Sequence, residues 1–253
     1  MPEPLVLTEV VDHVGWITFN DPERMNPVTP RRAPELIQTC RDLSENDDVR
    51  VVVVTGAGRA FNSGADLKLS AAPDHKPGPG SDTVVEAGPG MWLLPAMRQP
   101  VIAMVNGAAV GWGAELAVSA DIRIAGESAR FRFPFSLLGV VSDTGAATWL
   151  MPRLIGWSRT AEILYTGRMV SAAEALEIGL VNRVVPDAEL RTEVTTLAAA
   201  IAERSTSAVR EMKRMIFAGL DERKAEHALR QYFSFAQRDP DVDVTSYFPK
   251  AVT

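Results

Sequence analysis

The sequence predicts an α/β fold built from a repeated strand–strand–helix unit and closed by a helical C-terminal region. Two observations point to the sheet: 50–55 is a continuous β-branched run and 101–105 a short apolar run, the pattern of parallel strands covered on both faces. A third is the order of elements, since a pair of strands followed by a helical pattern recurs at least three times without the sequence repetition of a solenoid. At 253 residues the chain is near the upper limit of one hydrophobic core, so one main domain with a smaller appended piece is expected.

Residues 5–11 and 14–20 alternate as strands around an Asp12-His13 turn, which opens the chain as a hairpin. A Pro- and Arg-rich loop, 21–34, leads to a helical pattern at 35–44 and then to the strand 50–55. The following Gly56-Ala57-Gly58 invites a dinucleotide-binding fingerprint, but its third glycine position is Phe61 and no helix pattern begins there. Residues 71–90 are rich in Pro, Gly, Ser and Asp and read as loop, with a helix around 91–97. Short strands are expected at 122–125, 129–133 and 181–185, and a turn begins at 136–139. Helices are expected at 144–154 as far as Pro152, and at 159–164, 172–178, 192–203 and 207–235.

The centre of interest is Val101 to Asp121, VIAMVNGAAVGWGAELAVSAD, a strand, a glycine-rich turn and a helix carrying Glu115. Amides in the first turn of a helix have no intrahelical acceptor and lie at its positive end, so a thioester or carboxylate oxygen fits there.

Composition narrows the functional classes. Hydrophobic residues make up 46% and charged residues 23%, and the net charge is −6, an acidic balance unsuited to nucleic acid. One cysteine, Cys40, excludes an intramolecular disulfide or multi-cysteine metal site. His13, His75 and His227 are scattered, so neither a histidine triad nor a metal site is expected. The first twenty residues lack a basic region followed by an apolar stretch, and no run approaches the ~18 apolar residues of a membrane span; a cytoplasmic setting is the default expectation.

Several segments in order resemble the enoyl-CoA hydratase/isomerase, or crotonase, family, over most of the chain from about Leu5. Residues 21–26, DPERMN, resemble its first loop contacting coenzyme A, and residues 58–68, GRAFNSGADLK, its first oxyanion loop. The 101–121 segment resembles the second oxyanion loop, and Thr166-Gly167-Arg168 with Ala172, Ala175 and Gly179-Leu180-Val181 resembles a downstream signature. The resemblance implies a crotonase-like spiral of ββα units over 1–195, a helical trimerisation region over 196–253, and a homotrimer or dimer of trimers. It further implies an acyl-CoA thioester substrate, no cofactor beyond that coenzyme A, and an enolate held by two backbone amides, by position those of Ser63 and Trp112. Arg24, Met25, Phe61, Gly64, Ala65, Asp66, Leu67, Lys68, Gly111 and Phe135 are the implied binding residues. Trp112 stands where the family commonly has glycine, and a bulky residue disfavours positive φ.

The acids bear on the reaction. Family hydratases hold water between two glutamates; Glu115 matches the first, but the second falls on Phe135, which cannot accept a proton. Asp143 stands where a subset of the family has a carboxylate serving double-bond isomerisation. Outside the family context, a first-turn glutamate is stabilised by the helix dipole by ~0.3–1 kcal/mol without any catalytic role. Asp143 equally suits a helix cap or turn. A carboxyl near Phe135 and Trp112 is expected to titrate high, as a proton-transfer group needs. Hydration of a 2-enoyl-CoA, or its reverse, is the first expectation and isomerisation through Asp143 or Glu115 the alternative. The rivals are a catalytically idle acyl-CoA binding protein and, last, a nicotinamide-dependent oxidoreductase.

Overall fold

The computed structural model describes residues 4–29, 32–66, 93–142 and 146–220. Strands β1 (Val6–Val11) and β2 (Val14–Phe19) form the expected antiparallel hairpin, with Val11 opposite Val14. Its turn places both Asp12 and His13 at positive φ, 49° and 68°, the backbone that matches the twist of a two-residue hairpin. Parallel to β2 run β3 (Val51–Gly56), β5 (Val101–Val105), β7 (Ile122–Gly126) and β10 (Arg183–Val185), giving a six-stranded sheet of order β1-β2-β3-β5-β7-β10.

A second sheet was not expected from sequence. It joins β4 (Ala60–Asn62), β6 (Ala108–Val110), β8 (Arg130–Arg132) and β9 (Met169–Ser171), and only β8 falls on an anticipated strand. Each of these strands is three residues long, too short to show the alternation by which a strand is recognised. The consecutive pairs β3–β4, β5–β6 and β7–β8 each place one strand in either sheet, and this stepping generates the spiral. The turn into β4 also removes the dinucleotide possibility, because the chain leaves Gly56-Ala57-Gly58 into a strand and not a helix.

The inner strands of the large sheet are buried on both faces, β3 and β5 over their whole length, which explains their apolar runs. On one face Phe19, Val52, Val54, Ala103 and Val105 pack with Leu36, Cys40 and Leu43 of helix α1 (Arg32–Glu45) and with Leu116 of helix α2 (Trp112–Ser119). After α2 come α3 (Met151–Ile155), α4 (Trp157–Thr166) and α5 (Ala172–Glu177). On the other face Trp16, Val51, Val53, Ile102 and Met104 meet helix α6 (Leu190–Ala202). Leu190, Val194, Ala198 and Ala202 form its four-residue stripe, so the boundary expected at residue 195 falls inside a helix lying on the sheet.

Pro152 does not end its helix. It occupies the first turn of α3, where a missing N–H costs no bond, behind a π-helical turn at Ala146–Leu150. The last described helix, α7 (Thr206–Ala218), is fastened through Lys213, whose Nζ donates to the carbonyls of Leu94 (2.9 Å) and Gln99 (2.8 Å) and lies 2.9 Å from Asp121 Oδ2. The helix expected around 91–97 is not formed over its described residues, since 93–97 are turns and bends, while the helix expected at 207–235 is borne out as far as Ala218, with 221–235 outside the described residues. No helix among the described residues is long and apolar enough to cross a membrane.

Candidate active site

The turn between β6 and α2 is shaped by glycine. Gly111 has φ 53° and ψ −120°, a conformation that L side chains rarely adopt, although a Cβ there would meet nothing within 4 Å. The positive φ therefore falls on Gly111 and not on Trp112, and the bulky residue begins α2 without strain. Its indole is half-buried against the main core. The first intrahelical bond runs from Glu115 N to Gly111 O at 3.0 Å, which leaves the Trp112 amide without an acceptor among the described residues. At the other end of α2, Arg123 Nη1 donates to the carbonyls of Val118 (3.1 Å) and Ala120 (2.5 Å). Burial pulls the pKa of that arginine down to about 10, with Asp121 opposing the shift.

The opposing loop is laced to the strap that follows β2. Ser63 N donates to Met25 O at 3.0 Å, Val28 N to Gly64 O at 2.7 Å, and Asp66 N to Val28 O at 3.0 Å. The Gly64 amide is taken by Asn62 Oδ1 at 2.8 Å. Ala65 is the loop residue whose amide has no acceptor among the described residues. In a trans peptide the N–H points opposite the carbonyl, so with Gly64 O turned to Val28 the Ala65 N–H faces away from the strap. A Cβ on Gly64 would approach the Trp112 nitrogen to 3.5 Å, which puts the two loops side by side.

This corrects the assignment of Ser63. Its amide is already spent on Met25, and the neighbouring register supplies Ala65 instead. Phe61, expected among the binding residues, is fully buried and meets Phe19 edge to face at 6.1 Å, which places its side chain in the core. The strap owes its shape to Asn26, a fully buried residue at φ 57°. Its Oδ1 accepts from Asp21 N (2.8 Å) and its Nδ2 donates to Ala57 O (2.9 Å) and Ala60 O (2.8 Å). Arg24 is half-exposed and ion-paired with Asp66.

Glu115 is 1% exposed, and its Oε1 accepts from the Ser142 hydroxyl and from Ala147 N at 3.1 Å. Phe135 is half-buried against the core and starts the 3₁₀ turn Ser136–Leu138. The structure thus brings together Ala65, Gly111, Trp112 and Glu115, and adds Ser142 and Asn62, which sequence reasoning did not single out. Asp143, Leu67 and Lys68 lie outside the described residues. Among the described residues no three His, Cys, Asp or Glu side chains stand close enough to share a metal ion.

A family model for enoyl-CoA hydratase/isomerase matches residues 9–239. The chain belongs to the enoyl-CoA hydratase/isomerase family. It is 41% identical over 213 residues to a probable enoyl-CoA hydratase of Mycobacterium bovis, covering 82% of this chain and 75% of that protein. The crystal structure of an enoyl-CoA hydratase from Bacillus anthracis superposes with a TM-score of 0.83 at 34% identity, covering 92% of this chain and 90% of that one. A monofunctional enoyl-CoA isomerase from Mycobacterium smegmatis gives 0.74 at 36% identity, covering 89% and 98%. As in that family's crotonase fold, the enzyme carries its parallel strands in two sheets.

Proposed function

We propose that this enzyme adds water to a 2-enoyl-CoA thioester, or removes it in reverse, with the Ala65 and Trp112 amides holding the thioester oxygen and Glu115 transferring the proton. The observation that carries the reading is the juxtaposition of two unclaimed amides with a buried carboxylate one turn along the same helix. As the water oxygen bonds to C3, Glu115 takes its proton and the π electrons move onto the thioester oxygen. The fixed amide dipoles stabilise that enolate without reorganising. The same carboxylic acid then protonates C2, which completes the addition of one water. This sequence calls on no cofactor beyond the coenzyme A of the substrate. Arg24, Met25, Asp66, Leu67 and Lys68 supply the coenzyme A contacts, and a homotrimer or dimer of trimers is the proposed assembly.

Isomerisation is the second reading, favoured by Phe135. With an aromatic ring at that position, a proton removed from C4 and returned to C2 needs only Glu115, or Asp143, which follows the Glu115-bonded Ser142 in the chain. Crotonyl-CoA and a 3-enoyl-CoA incubated with the enzyme in H₂¹⁸O separate the two. Label fixed in a 3-hydroxyacyl product supports hydration, unlabelled double-bond transfer supports isomerisation, and binding with neither refutes both.

A further inference from the structure

Asn62 sits between the two halves of the proposed amide pair. It ends β4, is fully buried, and its Oδ1 accepts the Gly64 amide at 2.8 Å. On its other side it abuts the start of α2: a Cβ on Gly113 would lie 2.3 Å from the Asn62 carbonyl oxygen and 2.6 Å from Oδ1. Its Nδ2 has no hydrogen-bond partner among the described residues. A buried donor left unbonded is destabilising, so a side chain that served packing alone would be better apolar.

We infer that Asn62 is a positioning residue that sets the Ala65 amide against the Trp112 amide. Its Oδ1 fixes the N–H side of Gly64, while Val28 fixes the Gly64 carbonyl. The first bond fixes the Ser63–Gly64 peptide plane and the second the Gly64–Ala65 plane, so Gly64 is clamped on both sides and the Ala65 N–H is held in direction. The contact with Gly113 fixes the same side chain against the helix that carries the Trp112 N–H. Asn62 therefore touches neither substrate nor reacting atoms, and acts by holding two donors at one separation. The inference rests on the amide-pair reading given above.

The test uses a saturated acyl-CoA labelled with ¹³C at the thioester carbonyl, whose infrared stretch drops in frequency when two donors polarise it. The wild type is expected to show that drop. Asn62→Leu is expected to lose most of it and to lower kcat about 10- to 100-fold with KM changed less than about threefold, short of the loss from deleting a donor outright. Asn62→Asp, which keeps the acceptor, is expected to recover the frequency drop. If leucine does not fit, Asn62→Ala replaces it, since it only removes atoms. Folded Asn62→Leu or Asn62→Ala with the wild-type frequency and a kcat within twofold overturns the inference alone. A wild-type carbonyl unshifted on binding removes the amide pair itself, and the role of Asn62 with it.

Discussion

The Ser142 hydroxyl donates to Glu115 Oε1, so the buried carboxylate of α2 is held from the segment that follows the 3₁₀ turn as well as from its own helix. With the Ala147 amide on the same oxygen, the carboxylate has one fixed orientation. Glu115→Gln keeps the shape and removes the proton transfer; kcat is expected to fall about 10²- to 10⁴-fold while acyl-CoA binding stays within a few fold. Ser142→Ala is expected to cost about tenfold in kcat. Steady-state kinetics with crotonyl-CoA, paired with calorimetric binding of a saturated acyl-CoA, checks both.

Two glycines of the same turn are expected to respond differently to alanine. At Gly113 the added methyl meets the Asn62 carbonyl at 2.3 Å, an unyielding backbone atom, and a loss of about 2–3 kcal/mol accompanies a lower kcat. At Gly111 space is open but φ 53° with ψ −120° lies outside the left-handed helical well, so the cost is backbone strain of about 1–3 kcal/mol with no steric clash. Urea melts of the two variants measure both losses.

Lys213 is 7% exposed, and desolvation lowers its pKa against the pull of Asp121. Lys213→Met leaves Asp121 without its cation and the carbonyls of Leu94 and Gln99 without this donor. Asp121 is partly exposed and stays solvated, so the loss comes chiefly from the two carbonyls left without their donor and amounts to about 1–3 kcal/mol. A fall of that size in the urea-derived stability is expected.

Cys40 supplies a pH dependence. Burial raises its thiol from 9.0 to about 12, with Lys213 opposing the rise. The unfolded chain loses this proton above pH 9 while the folded chain keeps it, so the stability linked to it is complete below pH 9 and is lost as pH rises towards 12. Relative to Cys40→Ala, wild-type stability is expected to decline between pH 9 and 10.5 with a slope approaching about 1.4 kcal/mol per pH unit. Equilibrium urea unfolding of both proteins across that range measures it.

The large sheet was readable because full burial leaves a mark: Val101–Val105 was anticipated at both ends, and the hairpin turn at Asp12-His13 was placed correctly. The small sheet was not, since Ala60–Asn62 and Ala108–Val110 resemble loop until a neighbouring strand pairs with them. The same cause misplaced Phe61, which looked like part of a binding loop and is an inward residue of β4. Glu115 stands out in the first turn of the helix that follows the glycines, whereas Trp112 is singled out only by the family resemblance. The choice between Ser63 and Ala65 was not, because successive amides of a loop face different ways and only the partner strap decides which is consumed. Ser142 carried no pattern of its own and emerges only through its contact with Glu115.

The fastening of α7 bears on the order in which the chain assembles. Lys213 closes on Leu94 across 119 residues, and its other partners, Gln99 and Asp121, lie just before β5 and β7, at one end of these inner strands of the large sheet. So distant a contact carries a large loop-closure cost and is rewarded only once β5 and β7 have paired. During synthesis the strands leave the ribosome well before Lys213 does. The last described helix is therefore a late arrival, and a nascent chain arrested before it holds Asp121 with no countercharge from Lys213.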